Sequence, residues 1–263
     1  MMLAALSLAQ RELVRFLRQR SRVVGALGPP LLFWFLIGSG VGDSFRPPQA
    51  PSDLTSLAYL FPGTVLLIVL FTAIFSTISI IEDRREGFLQ AVLVAPGSRG
   101  GLVLGKMLGG TALAVGQAGL VVLLGPFVGL PLGMRPFLMT ASTLVITSFG
   151  FTGLGFVIAW RLDSTQGFHA VMNLLLMPMW LLSGALFPAA GAPAWLRAAM
   201  FLNPMSHALD ALRQALCFGS GAPVWGPQRG TLLTPLAVSA GFALVTFAAA
   251  LGLARQSRAA GLH

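Results

Sequence analysis

Long charge-free stretches alternate with short charged segments along the whole chain. A spanning helix needs about 20 apolar residues, and six stretches are long enough: Val23–Gly42, Leu54–Ile81, Met107–Met134, Pro136–Trp160, Ser164–Leu196 and Gly230–Ala254. The pattern predicts an all-α polytopic membrane protein with six transmembrane helices, at about residues 23–42, 57–81, 103–130, 137–160, 169–188 and 231–254. A further apolar stretch is too short to span, and residues 194–218 are predicted to form external re-entrant or short helices.

Composition supports the membrane assignment. Hydrophobic residues make up 56% of the 263 residues and charged residues only 10%, whereas a soluble domain carries about 25% charged residues. So few charges cannot supply the polar surface of a soluble enzyme. The single cysteine, Cys217, excludes an intrachain disulfide and a cysteine metal cluster.

The distribution of basic residues predicts the orientation. Of the 17 Lys and Arg residues, 12 fall in segments that six spans would place on one side of the membrane, together with both termini. Because basic loops remain in the cytoplasm, we expect both termini to be cytoplasmic. The net charge of +9 fits this bias and contact with anionic lipid. No basic soluble domain is present to bind nucleic acid.

Residues 1–22 carry a periodic row of arginines. Arg11, Arg15, Arg18 and Arg22 recur at helical spacing, and Leu6, Ala9, Leu13, Phe16 and Leu17 lie on the opposite side. This pattern predicts an amphipathic helix lying in the cytoplasmic membrane interface. The helix either anchors the topology or also contacts a cytoplasmic partner, and its position alone does not separate the two.

Residues 82–97 read EDRREGFLQAVLVAPG. A charged cluster is followed by Phe88, Leu89, Val92 and Leu93 at helical spacing, and Pro96-Gly97 ends the segment. We interpret it as a short cytoplasmic helix that docks on a partner. The alternative is a plain loop whose charges mark the membrane edge.

Several kinds of catalytic or coupling site are missing. No ionisable residue is expected near the middle of a span, which argues against an ion-coupled carrier; His169 stands alone near the end of span five. Gly100–Met107 fits G-x4-G-K, but Met107 replaces the Ser or Thr that would hold Mg²⁺, and no strand precedes it. We therefore expect this chain to bind no cofactor and to have no ATPase site of its own.

Four groups of motifs, spread over nearly the whole chain, point to one family. The first three are Arg11-Glu12-Leu13 with Arg20 and Pro29-Pro30; Phe61-Pro62-Gly63; and Arg85–Gln90 with Ala95-Pro96 and Gly105-Lys106. The fourth, the most specific, comprises Leu182-Ser183-Gly184, Phe187-Pro188, Pro193, Trp195-Leu196, Asn203-Pro204 and Asp210–Arg213. The chain resembles the membrane subunit (permease) of ABC-2 type ABC transporters, which include bacterial drug and polysaccharide exporters. Members often have Glu where this chain has Gln90.

The resemblance implies a function and partners. Permeases of this family work in pairs, as a homodimer or with a homologous permease. They bind two copies of an ABC ATP-binding subunit, which holds the ATP and Mg²⁺, and lie in the bacterial cytoplasmic (inner) membrane. Residues 82–97 would be the coupling helix, and the interfacial helix would also dock. The implied docking residues are Glu82, Arg84, Arg85, Glu86, Phe88, Leu89, Gln90 and Val92.

The implied activity is export of an amphiphilic substrate, a drug or a lipid-like molecule, from the cytoplasm. The external gate region would contain Pro188, Pro193, Trp195, Asn203 and Pro204. Export of a lipid-linked polysaccharide or a glycolipid is an alternative. A membrane assembly scaffold that moves no substrate and a secondary carrier are further alternatives.

Overall fold

A computed structural model describes residues 2–42, 54–94, 99–131, 133–186, 192–221, 223–224 and 230–256, and these residues contain helices and no strand. The α-helices are α1 (Met2–Arg18), α2 (Arg20–Val41), α3 (Ser56–Ser76), α4 (Ile78–Arg85), α5 (Phe88–Val94), α6 (Arg99–Val122), α7 (Met134–Arg161), α8 (Thr165–Leu181), α9 (Ala194–Leu202), α10 (Pro204–Leu216) and α11 (Leu233–Gln256). A short 3₁₀ helix follows α6 at Gly125–Val128. The all-helical prediction is confirmed for the described residues.

Four segments are long and apolar enough to cross a membrane: Val23–Gly40, Ser56–Arg85, Met134–Arg161 and Leu233–Gln256. They correspond to predicted spans one, two, four and six. Helices α6 and α8 occupy the positions of spans three and five but do not meet the same standard of length and apolarity. Helix α8 has only 17 residues, and α6 includes Lys106 and several glycines.

Helix α3 forms the centre of the bundle. Almost all of its residues are buried, as expected for a helix that is apolar all round. The Thr55 hydroxyl caps its first turn by accepting a hydrogen bond from the Ala58 N–H at 3.2 Å. Helix α4 follows directly after Thr77, and Ser56–Arg85 together form one segment of 30 residues that is long and apolar enough to span a membrane.

Helix α1 packs closely along the first half of α6. A Cβ atom added to Gly105 would lie 2.7 Å from the Ala5 carbonyl oxygen, and one added to Gly109 would lie 2.8 Å from Glu12 Cβ. These two glycines therefore allow the helix backbones to approach. We call this end of the bundle, where α1, α4, α5 and the start of α6 meet, the α1 end.

Two breaks differ from the predicted boundaries. The predicted interfacial helix spans residues 1–22, but α1 ends at Arg18 and α2 begins at Arg20, so Arg22 belongs to α2. The predicted coupling helix spans residues 82–97, but the chain breaks at Gly87, which has a φ of +76°. The charged residues 82–85 therefore extend the long α3–α4 segment, and Phe88–Val94 forms a separate helix. Residues 95–97 of the predicted helix lie outside the described residues.

Helices α9 and α10 lie at the opposite end, within the predicted range of 194–218, and meet at Asn203. Helix α10 is largely buried, whereas Trp195 on α9 is 71% exposed. We call this region the α9 end. Pro188, predicted for the gate region, lies outside the described residues.

Candidate functional site

A buried lysine lies at the centre of the α1 end. The Lys106 ammonium is 2.6 Å from Glu12 Oε1, donates to Ser79 Oγ at 3.0 Å and donates to the carboxylate of Asp83. Lys106, Glu12 and Asp83 are all buried. A buried ammonium is stable only with hydrogen-bonded carboxylate partners. Here the partners come from α1 and α4, so Lys106 joins three helices.

Two arginines of α1 extend this network. Arg11 donates to both oxygens of Asp83, at 3.0 and 3.2 Å, and Arg15 donates to Asp83 Oδ1 at 2.8 Å. Arg15 also lies 3.1 Å from Glu82 Oε2 and 3.1 Å from Glu86 Oε1. The resulting ionic cluster consists of Arg11, Glu12, Arg15, Glu82, Asp83, Glu86 and Lys106. Among the described contacts, these three cations bind four carboxylates.

Arg11 connects the cluster to α5. Its guanidinium carbon is 3.8 Å from the centroid of the Phe88 ring, which is a cation–π contact. Hydrogen bonding to Asp83 raises the pKa of Arg11 above its usual value, so this cation is held in its charged form. One side chain of α1 thus contacts both the end of the long α3–α4 segment and the first residue of α5.

Two predicted docking arginines point away from the cluster. Arg84 donates to the Trp160 carbonyl at 2.6 Å and to Asp163 Oδ1 at 2.8 Å, and Arg85 donates to the Asp163 carbonyl at 2.9 Å. Both guanidinium groups therefore bind the end of α7 or the segment that joins it to α8. The sequence interpretation, which assigned them to contacts with a partner, did not anticipate these contacts.

The remaining predicted docking residues divide into buried and exposed positions. Leu89 is 4% exposed and Val92 packs against the core, so both serve the internal packing of α5. Glu86 has a side chain that is 58% exposed, and Gln90 is also exposed. These two residues form the outward surface at the turn between α4 and α5.

The arginine row of the N-terminal helix is divided as well. Arg11 and Arg15 bind within the cluster, whereas Arg18 is exposed and the side chain of Arg22 lies outside the described part. Among the described side chains of α1, Ala5, Ala9, Glu12 and Phe16 are buried. Leu6, expected on the apolar face, is exposed. Where α1 approaches Gly105 and Gly109 of α6, its contacts come from Ala5, Leu8, Ala9 and Glu12.

At the α9 end, polar side chains bind backbone carbonyls. Asn203 donates from Nδ2 to the Met179 carbonyl at 2.6 Å and accepts from the Met205 N–H at 3.0 Å. Arg213 is buried, donates to the Gly184 carbonyl at 3.1 Å and stacks over Tyr59. Of the other predicted gate residues, Pro193 precedes α9 and Pro204 begins α10. Asn203 and Pro204 are adjacent in sequence and form the junction between α9 and α10.

The sequence matches the ABC-2 type transporter family over residues 4–217. This range includes the ionic cluster and all of α10. The chain belongs to the ABC-2 type transporter family. The resemblance inferred from the motifs is thereby confirmed.

The sequence is also similar to individual proteins of known name. The transport permease ycf38 of Cyanophora paradoxa is 26% identical over 78% of this chain and 71% of its own length. Nodulation protein J of Rhizobium leguminosarum bv. trifolii is 29% identical over 73% of this chain and 72% of that protein. A probable multidrug ABC transporter permease, YbhR, of Escherichia coli is 27% identical, over 59% of this chain but 43% of its own length. Two of these three relatives are thus named as permeases.

Sequence reasoning missed the three buried members of the ionic cluster in this ABC-2 family protein. Glu12 and Lys106 were interpreted only as parts of sequence motifs, and Asp83 only as part of the charged cluster that begins residues 82–97. Local sequence patterns could have indicated two of these residues, Glu12 and Lys106. Glu12 follows Ala5 and Ala9 on the small-residue face of α1, and Lys106 stands alone between apolar residues of α6. A charge in such a setting usually has a specific partner.

Proposed function

We propose that this chain is the membrane-spanning subunit of an ATP-driven exporter. It pairs with a separate ABC ATP-binding subunit and moves an amphiphilic substrate, a drug or lipid-like molecule, out of the cytoplasm. Membership of the ABC-2 family and relatives named as permeases support this proposal. The ATP-binding subunit, present in two copies, holds the ATP and Mg²⁺, while two permease copies form the pathway.

The proposed topology has six spans with both termini in the cytoplasm of a bacterial inner membrane. Helix α6 has 24 residues and is about 36 Å long at 1.5 Å per residue, which exceeds a hydrocarbon core of about 30 Å. Helix α8 has 17 residues and would need the turn that follows it to complete a span. The bias of basic residues supports a cytoplasmic position for the α1 end.

The ionic cluster is the observation that carries the coupling proposal. It ties α1 and α6 to α4, and α4 continues into the central helix α3. A partner that pushes on the turn between α4 and α5 would move Phe88 and Arg11, and through Asp83 the central helix. Packed elements respond to such a push by changing between discrete arrangements. The ATP-binding subunit would bind the outward residues of this turn, Glu86 and Gln90.

Two arginines introduced on this outward surface test the proposal. We expect Glu86→Arg combined with Gln90→Arg to weaken assembly with the ATP-binding subunit and to abolish substrate-stimulated ATP hydrolysis. Both positions are exposed, and the exposed Arg15–Glu86 pair contributes at most about 1 kcal/mol, so folding should survive. Assembly is measured by co-purification, and coupling by ATP turnover in proteoliposomes.

Arg197→Glu is the matched control, because Arg197 is exposed on α9 at the opposite end. It should leave assembly and ATP turnover as in the parent protein. Full assembly and full coupling in the double variant would contradict the docking assignment. A complex that assembles and hydrolyses ATP but moves no substrate would favour the scaffold alternative.

A further inference from the structure

Two arginines at the end of α4 hold the short linker between α7 and α8, residues 162–164. Arg84 donates to the Trp160 carbonyl at 2.6 Å, to Asp163 Oδ1 at 2.8 Å and to the first carbonyl of the linker at 3.2 Å. Arg85 donates to the Asp163 carbonyl from Nε at 3.1 Å and from Nη2 at 2.9 Å. These hydrogen bonds join α4 both to the last turn of α7 and to the linker.

Most of these hydrogen bonds end on backbone carbonyls. Carbonyls at the end of a helix lack a helical donor, and a planar guanidinium can bind several of them at once. The ion pair between Arg84 and Asp163 adds little by itself, because the Asp163 side chain is 90% exposed. A carbonyl oxygen, unlike the end of a long side chain, moves only with its backbone. The linker is therefore tied to the end of α4.

The linker leads directly into α8, which is packed along one narrow ridge. Ser164 caps α8 by accepting a hydrogen bond from the Gly167 N–H at 2.9 Å, so the end of the linker and the first turn of α8 form one unit. The buried residues of α8 recur every four positions: Phe168, Met172, Leu176 and Trp180. A helix with so few buried residues shifts more easily than one that is buried all round.

The far end of α8 is held by polar contacts with two other helices. Asn203 at the start of α10 donates to the Met179 carbonyl at 2.6 Å, and the Trp180 ring N–H donates to a carbonyl of α3 at 2.9 Å. Helix α8 has 17 residues and is about 25 Å long. A displacement of its first turn therefore tilts α8 about its far end.

We propose that Arg84 and Arg85 are positioning residues that make the start of α8 follow the end of α4 during transport. The inference rests on the proposed function, in which an ATP-binding subunit displaces the turn between α4 and α5, and it specifies where that displacement goes. Because Arg84 and Arg85 directly precede this turn, a movement of the turn carries both guanidinium groups with it. Their bonds to the backbone pass the movement to the linker and then to α8.

The neighbouring residue Asp83 makes contacts on the other side of α4, where it binds Arg11 and Arg15 of α1. The end of α4 thus has two sets of contacts, one with α1 and one with the linker. Replacement of Arg84 and Arg85 removes only the second set. It should leave the ionic cluster and the outward residues of the turn intact, so the two routes can be separated by experiment.

Two distances within one chain, measured between spin labels by pulsed electron paramagnetic resonance, test the inference. Cys217→Ser removes the native thiol, and Met134→Cys carries a reference label at the exposed start of α7, at the opposite end of the bundle. The second label is placed either at Gln166→Cys in the first turn of α8 or at Ala91→Cys on α5, and both positions are exposed. Labelled chain is mixed with excess unlabelled chain and assembled with the ATP-binding subunit in proteoliposomes.

In the parent, ATP with vanadate should shift both distances by about 2 Å. In Arg84→Met combined with Arg85→Met, the distance to residue 91 should still shift, whereas the shift of the distance to residue 166 should be lost. Arg84→Lys combined with Arg85→Lys keeps the charge and a donor at each position, so it should restore part of that shift. The lysine variant also tests the inference if the methionine variant folds poorly.

Arg161→Met is the matched control for the arginine variants. Arg161 is the exposed last residue of α7, next to the linker, and it donates none of the hydrogen bonds described for the linker. Both distances should therefore shift in Arg161→Met as they do in the parent.

A full shift of the distance to residue 166 in the methionine variant would overturn the inference, as would equal losses in that variant and in Arg161→Met. If the distance to residue 91 shifts in the parent while the distance to residue 166 does not, α8 does not follow the turn. The inference then fails, and the coupling proposed for the turn stands. If neither distance shifts in the parent, the proposed coupling fails and this inference fails with it.

Discussion

The contacts described at the two ends of the bundle differ in kind. At the α1 end, ionised side chains bind one another across long distances in sequence, as in the contact between Lys106 and Glu12, which are 94 residues apart. At the α9 end, Asn203, Ser206 and Arg213 donate to the carbonyl oxygens of Met179, Leu182 and Gly184. These carbonyls lie at and just after the end of α8, where no helical donor satisfies them.

This difference has a mechanical consequence. A charged side chain at the α1 end has alternative partners nearby, since Arg15 alone contacts Glu82, Asp83 and Glu86. Helices joined in this way can shift and exchange ion pairs without leaving a charge unpaired. A carbonyl at a helix end has a fixed position, so the contacts at the α9 end resist displacement. We therefore expect the α1 end to transmit motion and the α9 end to hold α8 and α10 together.

The largest loss of stability is expected when the central cation of the ionic cluster, Lys106, is removed. Lys106→Met leaves Glu12 and Asp83 buried without their shared partner, and breaking a buried ion pair from one side costs about 3–5 kcal/mol. We expect a large drop in the thermal unfolding temperature of the purified protein in detergent. Adding Glu12→Gln and Asp83→Asn should recover part of this loss, because the stranded charges are then removed.

Arg18→Met provides the control for this experiment, since Arg18 is exposed on the same end of the molecule. Its unfolding temperature should equal that of the parent. If Lys106→Met and Arg18→Met unfold at the same temperature, the ionic cluster does not hold the α1 end together.

A smaller loss of stability is expected from overpacking the contact between α1 and α6. Gly105→Ala places a methyl group 2.7 Å from the Ala5 carbonyl oxygen, and overpacking of this kind costs about 1–3 kcal/mol. Gly116→Ala is the matched control on the same helix, because an added Cβ there meets nothing within 4 Å. Without a clash, Gly to Ala in a helix is favourable by up to about 1 kcal/mol.

Thermal unfolding and proteolytic cleavage within α1 are the two measurements for this pair. We expect Gly105→Ala to unfold at a lower temperature and to expose α1 to protease, while Gly116→Ala does neither. Similar behaviour of the two variants would show that the close approach of α1 is not required for stability.

Local patterns in the sequence were sufficient for much of the fold. Continuous apolar runs predicted the four segments that are long and apolar enough to span a membrane, because an apolar run of about 20 residues is rarely anything but a spanning helix. The short helices at residues 194–218 were also predictable, since Pro193 and Asn203-Pro204 mark their beginnings. In both cases the decisive information lies within one segment.

The ionic cluster could not be predicted in the same way. Glu12, Asp83 and Lys106 come from three segments, and no local pattern specifies that they meet. The arginine row of α1 was visible, but the buried face depends on Ala5 and Ala9 matching Gly105 and Gly109 across the interface. Arg84 and Arg85 bind carbonyl groups at and just after the end of α7, and no sequence pattern specifies backbone partners. Tertiary contacts, rather than periodicity, decide these roles.

The smallest loss of thermal stability is expected from a substitution at the α9 end. Asn203→Ala removes both the cap of α10 and the bond to the Met179 carbonyl, a loss of about 2 kcal/mol. Ser164→Ala is the matched control at the start of α8, where the hydroxyl only caps, accepting from the Gly167 N–H at 2.9 Å, and its loss costs about 1 kcal/mol. Thermal unfolding should therefore rank the parent above Ser164→Ala and Ser164→Ala above Asn203→Ala.

The reactivity of Cys217 gives an independent measure of how far Asn203→Ala and Ser164→Ala destabilise α10, because Cys217 follows α10 directly. Burial raises the pKa of Cys217 to about 11, so the folded protein contains very little thiolate at pH 7.5 and reacts slowly with maleimide. Opening of α10 exposes the thiol and returns its pKa towards the usual value, which accelerates labelling. We expect faster labelling in Asn203→Ala than in Ser164→Ala. Equal rates would mean that Asn203 acts as an ordinary helix cap and that the α9 end is held by its apolar contacts instead.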